Sequence, residues 1–188
     1  MGLQVFNGPL AGTRQMQRLI VTGANGAGKS HISSRLRDAR PGIPLVSFDA
    51  IKLTSDWKQR PRKEIDATLS QVVAGEAWII EGGPSLLSQA LPRAQAVIWL
   101  DPPELVRAWR LLIRPWRSFG QTRPELPPDN IDWPLQQYRF AIRSIKNGSR
   151  FRSYISSCLA AAEPPRVWRC RNQSQVEKAV DEWRSSGG

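Results

Sequence analysis

Residues 18–30, RLIVTGANGAGKS, constrain what this chain can fold into more than any other stretch. The octet Gly23, Ala24, Asn25, Gly26, Ala27, Gly28, Lys29, Ser30 fits G-x-x-x-x-G-K-[ST] at every fixed position, the pattern of a loop that cradles triphosphates. Glycine lets the backbone curl until successive N–H groups face one point, and the helix that follows adds its positive N-terminal end. In such a loop Lys29 reaches the β- and γ-phosphates and the Ser30 hydroxyl ligates magnesium. The motif needs a strand before it and a helix after it. Both are legible: Leu19, Ile20 and Val21 precede it, and Ile32 and Leu36 stand at helical spacing within 30–40. ATP and Mg2+ are the expected cofactors, with nucleotide contacts running from Gly23 to His31. His31, directly after the loop serine, is expected to pack or cap beside the phosphates and not to catalyse.

A formal charge of +11, from 27 Lys and Arg against 16 Asp and Glu, points to polyanions or phosphorylated ligands. Charge alone does not choose between ATP, other nucleotides and nucleic acid. With 188 residues, 40% of them hydrophobic, the chain suits one domain with a real core over 16–188, behind a flexible extension at 1–15. Cys158 and Cys170 have no metal-ligand spacing to each other or to His31, so they read as reduced packing thiols. No run has the length of a membrane span or the pattern of a signal peptide. The expected location is the cytoplasm, with no membrane partner.

Taken in order, 43–48 (IPLVSF) reads as a second strand ending at Asp49, followed by a polar, basic stretch with Trp57 inside it. Ile65, Leu69, Val72 and Val73 then mark one helical face that Gly75 terminates. Residues 77–80 (AWII) and 94–100 (AQAVIWL) are too apolar to alternate and read as strands buried on both faces, ending at Glu81 and Asp101. Asp101-Pro102-Pro103-Glu104 resembles a helix start with Asp101 as cap. The helix it opens, to about 113, carries Arg107, Arg110 and Arg114 on one face. Proline and glycine punctuate 115–134, so 114–134 reads as a lid bearing Arg123. A helical region over 135–162 breaks near Asn147-Gly148, 167–170 is a short fifth strand, and a capping box at Ser174–Glu177 opens the last helix. Strands alternating with helices define an α/β fold, a five-stranded parallel sheet with helices on both faces, whose ligands lie beyond the strands' carboxyl ends.

Phosphoryl transfer needs magnesium held, charge neutralised and the acceptor placed in line. Ser30 with a strand-end carboxylate, Glu81 in this reading, is expected to hold the metal. Asp49 is the favoured substrate-facing group or general base, with Glu81 second. Asp49 starts a polar segment, whereas Asp101 is explained as a cap. Lys29 and the arginines Arg110, Arg114 and Arg123 would neutralise phosphate oxygens. Trp57 and Trp116, in polar surroundings, are the two tryptophans that could stack on a base, and the others read as core.

The order of loop, Asp49 with Trp57 eight residues on, WIIEG at 78–82, VIWLD at 97–101, an arginine-rich helix and G-x-T-R-P at 120–124 resembles the adenylate-kinase-related P-loop kinases of the DNA topology modulation, or FlaR-like, group. The resemblance spans 18–183. It implies an acceptor-binding segment at 50–75, an arginine-bearing lid, and nucleotide and magnesium roles for Lys29 and Ser30. It also places Arg110, Arg114, Arg123 and Arg150 where related nucleotide kinases carry lid and post-lid arginines. His31, Leu53-Thr54 and Gly83-Pro84 depart from the group's pattern, the latter two in the acceptor region. The reading that results is an ATP-dependent phosphotransferase acting on a small phosphorylated or otherwise anionic acceptor. A nucleotide-regulated nucleic-acid-binding protein and a polynucleotide kinase are the alternatives. An outward basic stripe would mark the first alternative, and a basic channel to the acceptor site the second.

Overall fold

The computed structural model describes residues 15–117, 127, 130, 134–162 and 166–187. Its strands are β1 (Arg18–Gly23), β2 (Leu45–Ser47), β3 (Trp78–Gly82), β4 (Ala96–Leu100) and β5 (Val167–Cys170). They form one parallel sheet in the order β2-β3-β1-β4-β5. Eight α-helices are described: α1 (Lys29–Ala39), α2 (Phe48–Lys52), α3 (Arg62–Ala74), α4 (Leu87–Ala90), α5 (Glu104–Arg117), α6 (Pro134–Lys146), α7 (Gly148–Ala162) and α8 (Gln173–Ser185).

The unbroken apolar runs of β1, β3 and β4 are buried on both faces, and the period-2 pleat divides them between two cores. Ile20, Ile80, Val97 and Trp99 point to one side, where Ile65, Leu69 and Val73 of α3, Leu87 of α4 and Ile155 of α7 cover them. Leu19, Val21, Ile79, Ile98 and Leu100 point to the other, under Ile32 and Leu36 of α1 and Val176, Val180 and Trp183 of α8. Each such side chain contributes about 1.5–3 kcal/mol on burial. Two of the buried indoles keep a hydrogen bond, Trp78 Nε1 donating to the Val73 carbonyl and Trp183 Nε1 to the Leu36 carbonyl, both at 3.3 Å.

Four expectations need correction. β2 is only three residues long, and Phe48 opens α2, so Asp49 sits in the first turn of a short helix and not in a polar loop. Burial of Phe48 and Ile51 against the first core supplies the reason. α5 runs through Pro115 to Arg117, where a proline near the end removes only one late hydrogen bond. The last helix starts earlier than the Ser174 box, with Asn172 as cap accepting from the Gln175 N–H at 3.0 Å. The Asp101 carboxylate is engaged by arginines, as described below. Of the expected extension at 1–15 only Gln15 is described, its amide donating to the Gly187 carbonyl at 2.9 Å. No helix among the described residues is long and apolar enough to cross a membrane.

Candidate functional site

The phosphate loop connects β1 to α1. Gly26 and Gly28 have φ of 80° and 97°, conformations that L side chains rarely adopt. At Gly28 the motif itself asks for this. At Gly26, a variable position of the motif, the demand comes from packing: a Cβ there would stand 2.8 Å from Leu111 Cγ and 3.0 Å from the Arg107 carbonyl oxygen. α5 therefore lies directly against the loop.

Two arginines of α5 fasten it there. Arg107, 2% exposed, donates from Nε to the Asn25 carbonyl (3.1 Å), from Nη1 to both Glu104 oxygens (2.7 Å each) and from Nη2 to the Ser144 carbonyl of α6 (3.3 Å). Arg110 donates from Nη1 to the Ala27 carbonyl at 3.0 Å. With loop carbonyls engaged by cations, the opposite N–H edges of these peptides remain for an anion. Gly148 admits the start of α7 to the same junction, where a Cβ would meet Arg107 Nη1 and a Glu104 oxygen at 2.6 Å.

Lys29, half-buried, reaches back to the Ala24 carbonyl at 3.4 Å. Burial lowers its pKa below the ordinary lysine value, while the Glu81 and Asp49 charges oppose that shift and Arg114 and Lys52 add to it. All four are thus electrostatic neighbours of the loop lysine. Glu81 is 4% exposed and accepts from Ser47 Oγ at 3.0 Å, as the β2–β3 register places Ser47 beside Glu81. Asp49 pairs with Lys52 at 2.8 Å.

These groups line one cleft of about 880 Å³ that crosses the carboxyl ends of all five strands. Asn25 through His31 form its floor, with Asp49 after β2 and Glu81 at the end of β3 on one side. On the other side stand Pro102 and Pro103 after β4 and Arg171 and Asn172 after β5. Its size suits a nucleotide-scale ligand. Of the arginines singled out in the sequence, Arg110 and Arg114 line it. Arg150 is exposed on α7 and is not among the lining residues. Arg152, two positions on and so on a different helix face, turns inward instead. Arg123 lies outside the described residues. Neither Trp57 nor Trp116 lines the cleft.

Asp101 is 9% exposed and hydrogen-bonded to two guanidinium groups, with a third, that of Arg171, at 3.8 Å: Arg152 Nε reaches Oδ1 at 2.7 Å, and Arg169 Nε and Nη2 reach Oδ2 at 2.9 and 2.6 Å. Parallel pairing of β4 with β5 sets Arg169 beside Trp99, and its guanidinium lies 4.2 Å from that ring's centroid. The expected capping carboxylate is an ion-pair hub tying α7 and β5 to the sheet.

Sequence reasoning gave Arg107 no special place and missed Asn130. The signal for Arg107 was present, since it shares a helix face with Arg110 and Arg114. Asn130 carries no motif. Fully buried, it accepts the Trp57 N–H at 2.7 Å and donates to the Thr54 and Pro127 carbonyls at 2.8 and 2.9 Å. It thereby holds a turn in which Asp56 and Trp57 both have positive φ, 55° and 57°.

A parallel sheet of order 2-3-1-4-5 with a phosphate loop after its first strand is the fold of the P-loop kinases. Among solved structures the chain is similar to shikimate kinase from Aquifex aeolicus, with 18% identity and a TM-score of 0.52 over 91% of this chain and 99% of that one. Shikimate kinase from Bacteroides thetaiotaomicron matches with 19% identity and a TM-score of 0.50, over 90% of this chain and 97% of that one. A gluconokinase from Sinorhizobium meliloti matches with 15% identity and a TM-score of 0.50, over 92% of each chain. No family model and no curated protein matches the chain.

Proposed function

We propose that this chain is an ATP- and magnesium-dependent phosphotransferase acting on a small, anionic acceptor. The observation that carries the reading is the convergence of Lys29 with two carboxylates, Asp49 in the first turn of α2 and Glu81 near the end of β3, at one end of a cleft that continues over the phosphate loop. A module that only binds nucleic acid has no use for that convergence. Its arginines would face outward, whereas Arg107 and Arg110 are bonded to the loop itself. The names of the structural neighbours, shikimate kinase and gluconokinase, agree with a small acceptor. The motif resemblance to the FlaR-like group supports the kinase class without naming a substrate.

In this reading Lys29 binds the β- and γ-phosphates, and Arg110 and Arg114 neutralise oxygens as charge passes to the leaving group. Ser30 and Glu81 fit a magnesium site, because that ion keeps several waters and takes phosphate oxygens, so one hydroxyl and one carboxylate suffice from the protein. Ser30 and Glu81 would hold the ion, which would supply positive charge to offset the negative charge of the transferring phosphates. Asp49 accepts the acceptor's hydroxyl proton or orients that hydroxyl. Lys52, Lys58, Arg60, Arg62 and Lys63 in the 50–75 segment supply the positive field for an anionic acceptor.

The test is transfer from γ-labelled ATP with magnesium to nucleoside monophosphates, nucleosides, sugars, hydroxy acids and a 5′-hydroxyl oligonucleotide. A labelled small-molecule product that disappears with Lys29→Ala is the expected result. Label only on the oligonucleotide would make the chain a polynucleotide kinase. No transfer combined with salt-sensitive nucleic-acid binding would remove the enzyme reading.

A further inference from the structure

α5 has two working sides, and the phosphate loop uses only one. On that side Arg107 and Arg110 bond to the loop and Leu111 packs on Gly26. The other side stands in water: Leu105 is 84% exposed, Trp109 64%, Leu112 42% and Trp116 67%. The four are spaced by four, three and four residues. That is the a/d spacing of a helical seam, with the leucines one heptad apart and the tryptophans one heptad apart. The seam asks for another helix.

Which helix it fits follows from the order of the side chains. Turned end for end about a two-fold axis between residues 110 and 111, the series Leu105, Trp109, Leu112, Trp116 meets its own reverse. Leu105 then faces the second copy's Trp116, and Trp109 faces its Leu112, so every layer pairs one large ring with one leucine. A parallel arrangement would crowd indole on indole in two layers and leave leucine on leucine in the others. Self-complementarity of this kind is what an isologous interface requires.

Charge points the same way. Two copies of a chain with net charge +11 repel at most surfaces. The positions flanking this seam include Val106, Ala108 and Ile113, none of them charged; Val106 and Ile113 also border the cleft, which Arg110 and Arg114 line on the far side of the helix. The Trp116 indole N–H is already satisfied by the Tyr138 hydroxyl of α6, so drying this face strands no donor there. The four side chains leave on the order of 500 Å² in contact with water, and pairing two copies removes roughly 1,000 Å², about the lower bound of a specific interface.

We propose that α5 is the two-fold seam of a homodimer, packed antiparallel against the same helix of a second copy. The test is sedimentation velocity on the full chain across a wide concentration range. A dimer that reverts to monomer in Trp109→Glu, with the circular-dichroism spectrum and melting curve retained, is expected. Orientation is read in a Cys158→Ser background by oxidising a mixture of Leu105→Cys and Trp116→Cys chains, which should give the mixed disulfide. Leu105→Cys alone should give none. Monomer at every concentration overturns the proposal, including a monomer that adsorbs to anionic vesicles through these tryptophans. A dimer that survives Trp109→Glu, or Leu105→Cys cross-linking to itself, overturns it as well. None of these readouts involves phosphoryl transfer, so the seam and the kinase reading can fail separately.

Discussion

Lys29 is placed where its charge weakens the ligand-free fold. Burial lowers its pKa more than Glu81 and Asp49 raise it, so the folded chain releases this proton at a lower pH than the unfolded chain. Between the two values unfolding takes up a proton, and stability therefore rises with pH through that window, which ends at the ordinary lysine value. Below the window the partly desolvated ammonium costs stability, which a bound triphosphate would offset. Lys29→Met should then melt at or above the wild-type temperature at pH 7.5, show a smaller alkaline rise, and lose at least about 100-fold in transfer. A melting point several degrees lower would mean the lysine is structural. Cys170 gives a second residue-scale expectation. Burial pushes its thiol to about 11, leaving a thiolate fraction on the order of one in a thousand at pH 8. Iodoacetamide at that pH should modify the half-buried Cys158 well before Cys170, as peptide mass spectrometry would show.

The junction of α5, α6 and the phosphate loop depends on Arg107 as much as the loop depends on its glycines. Arg107→Met would leave the Asn25 and Ser144 carbonyls without their arginine donor and Glu104 with only the longer pair to Arg152. The expected cost is about 3 kcal/mol, a fall in melting temperature of roughly 10 °C, together with weaker nucleotide binding. Arg107→Lys should rescue little, since an ammonium lacks the fork that reaches three acceptors at once. A melting curve unchanged by Arg107→Met would show that Arg110 alone holds the loop. This junction also marks the boundary of what the chain discloses before folding. β1, β3, β4 and the loop are legible because continuous apolar runs ending in glycine or acid have few other uses in a chain of this size. Arg107 does not stand apart from Arg110 and Arg114 in the sequence, because helical spacing gives a face but not what the face meets. α2 was hidden because five residues show no periodicity, and only the tertiary burial of Phe48 and Ile51 makes them a helix. Asn130 was illegible for a related reason, since two of the three groups it binds lie 73 and 76 residues away.

At the scale of the whole molecule, one cleft touches the ends of five strands and the elements that follow them, so its ligand should stabilise the domain as a unit. A ligand that binds only the folded state at a hundredfold excess over its Kd adds about 2.7 kcal/mol. In a domain of this size that amounts to a rise of roughly 5–10 °C in melting temperature. A magnesium complex of a non-hydrolysable ATP analogue should give this shift, and Lys29→Ala should abolish most of it. The net charge of +11 makes nonspecific attraction of any polyanion the main confusion, and salt separates the two effects. Attraction to the general field decays over about 8–10 Å at 0.1–0.15 M salt, whereas contacts inside a half-closed cleft are screened far less. Raising salt from 50 to 300 mM should therefore erase stabilisation by a single-stranded oligonucleotide and leave most of that from the ATP analogue. If the oligonucleotide's shift persisted and the analogue's vanished, the cleft would not be a nucleotide site, and the basic surface would become the better guide to what this chain binds.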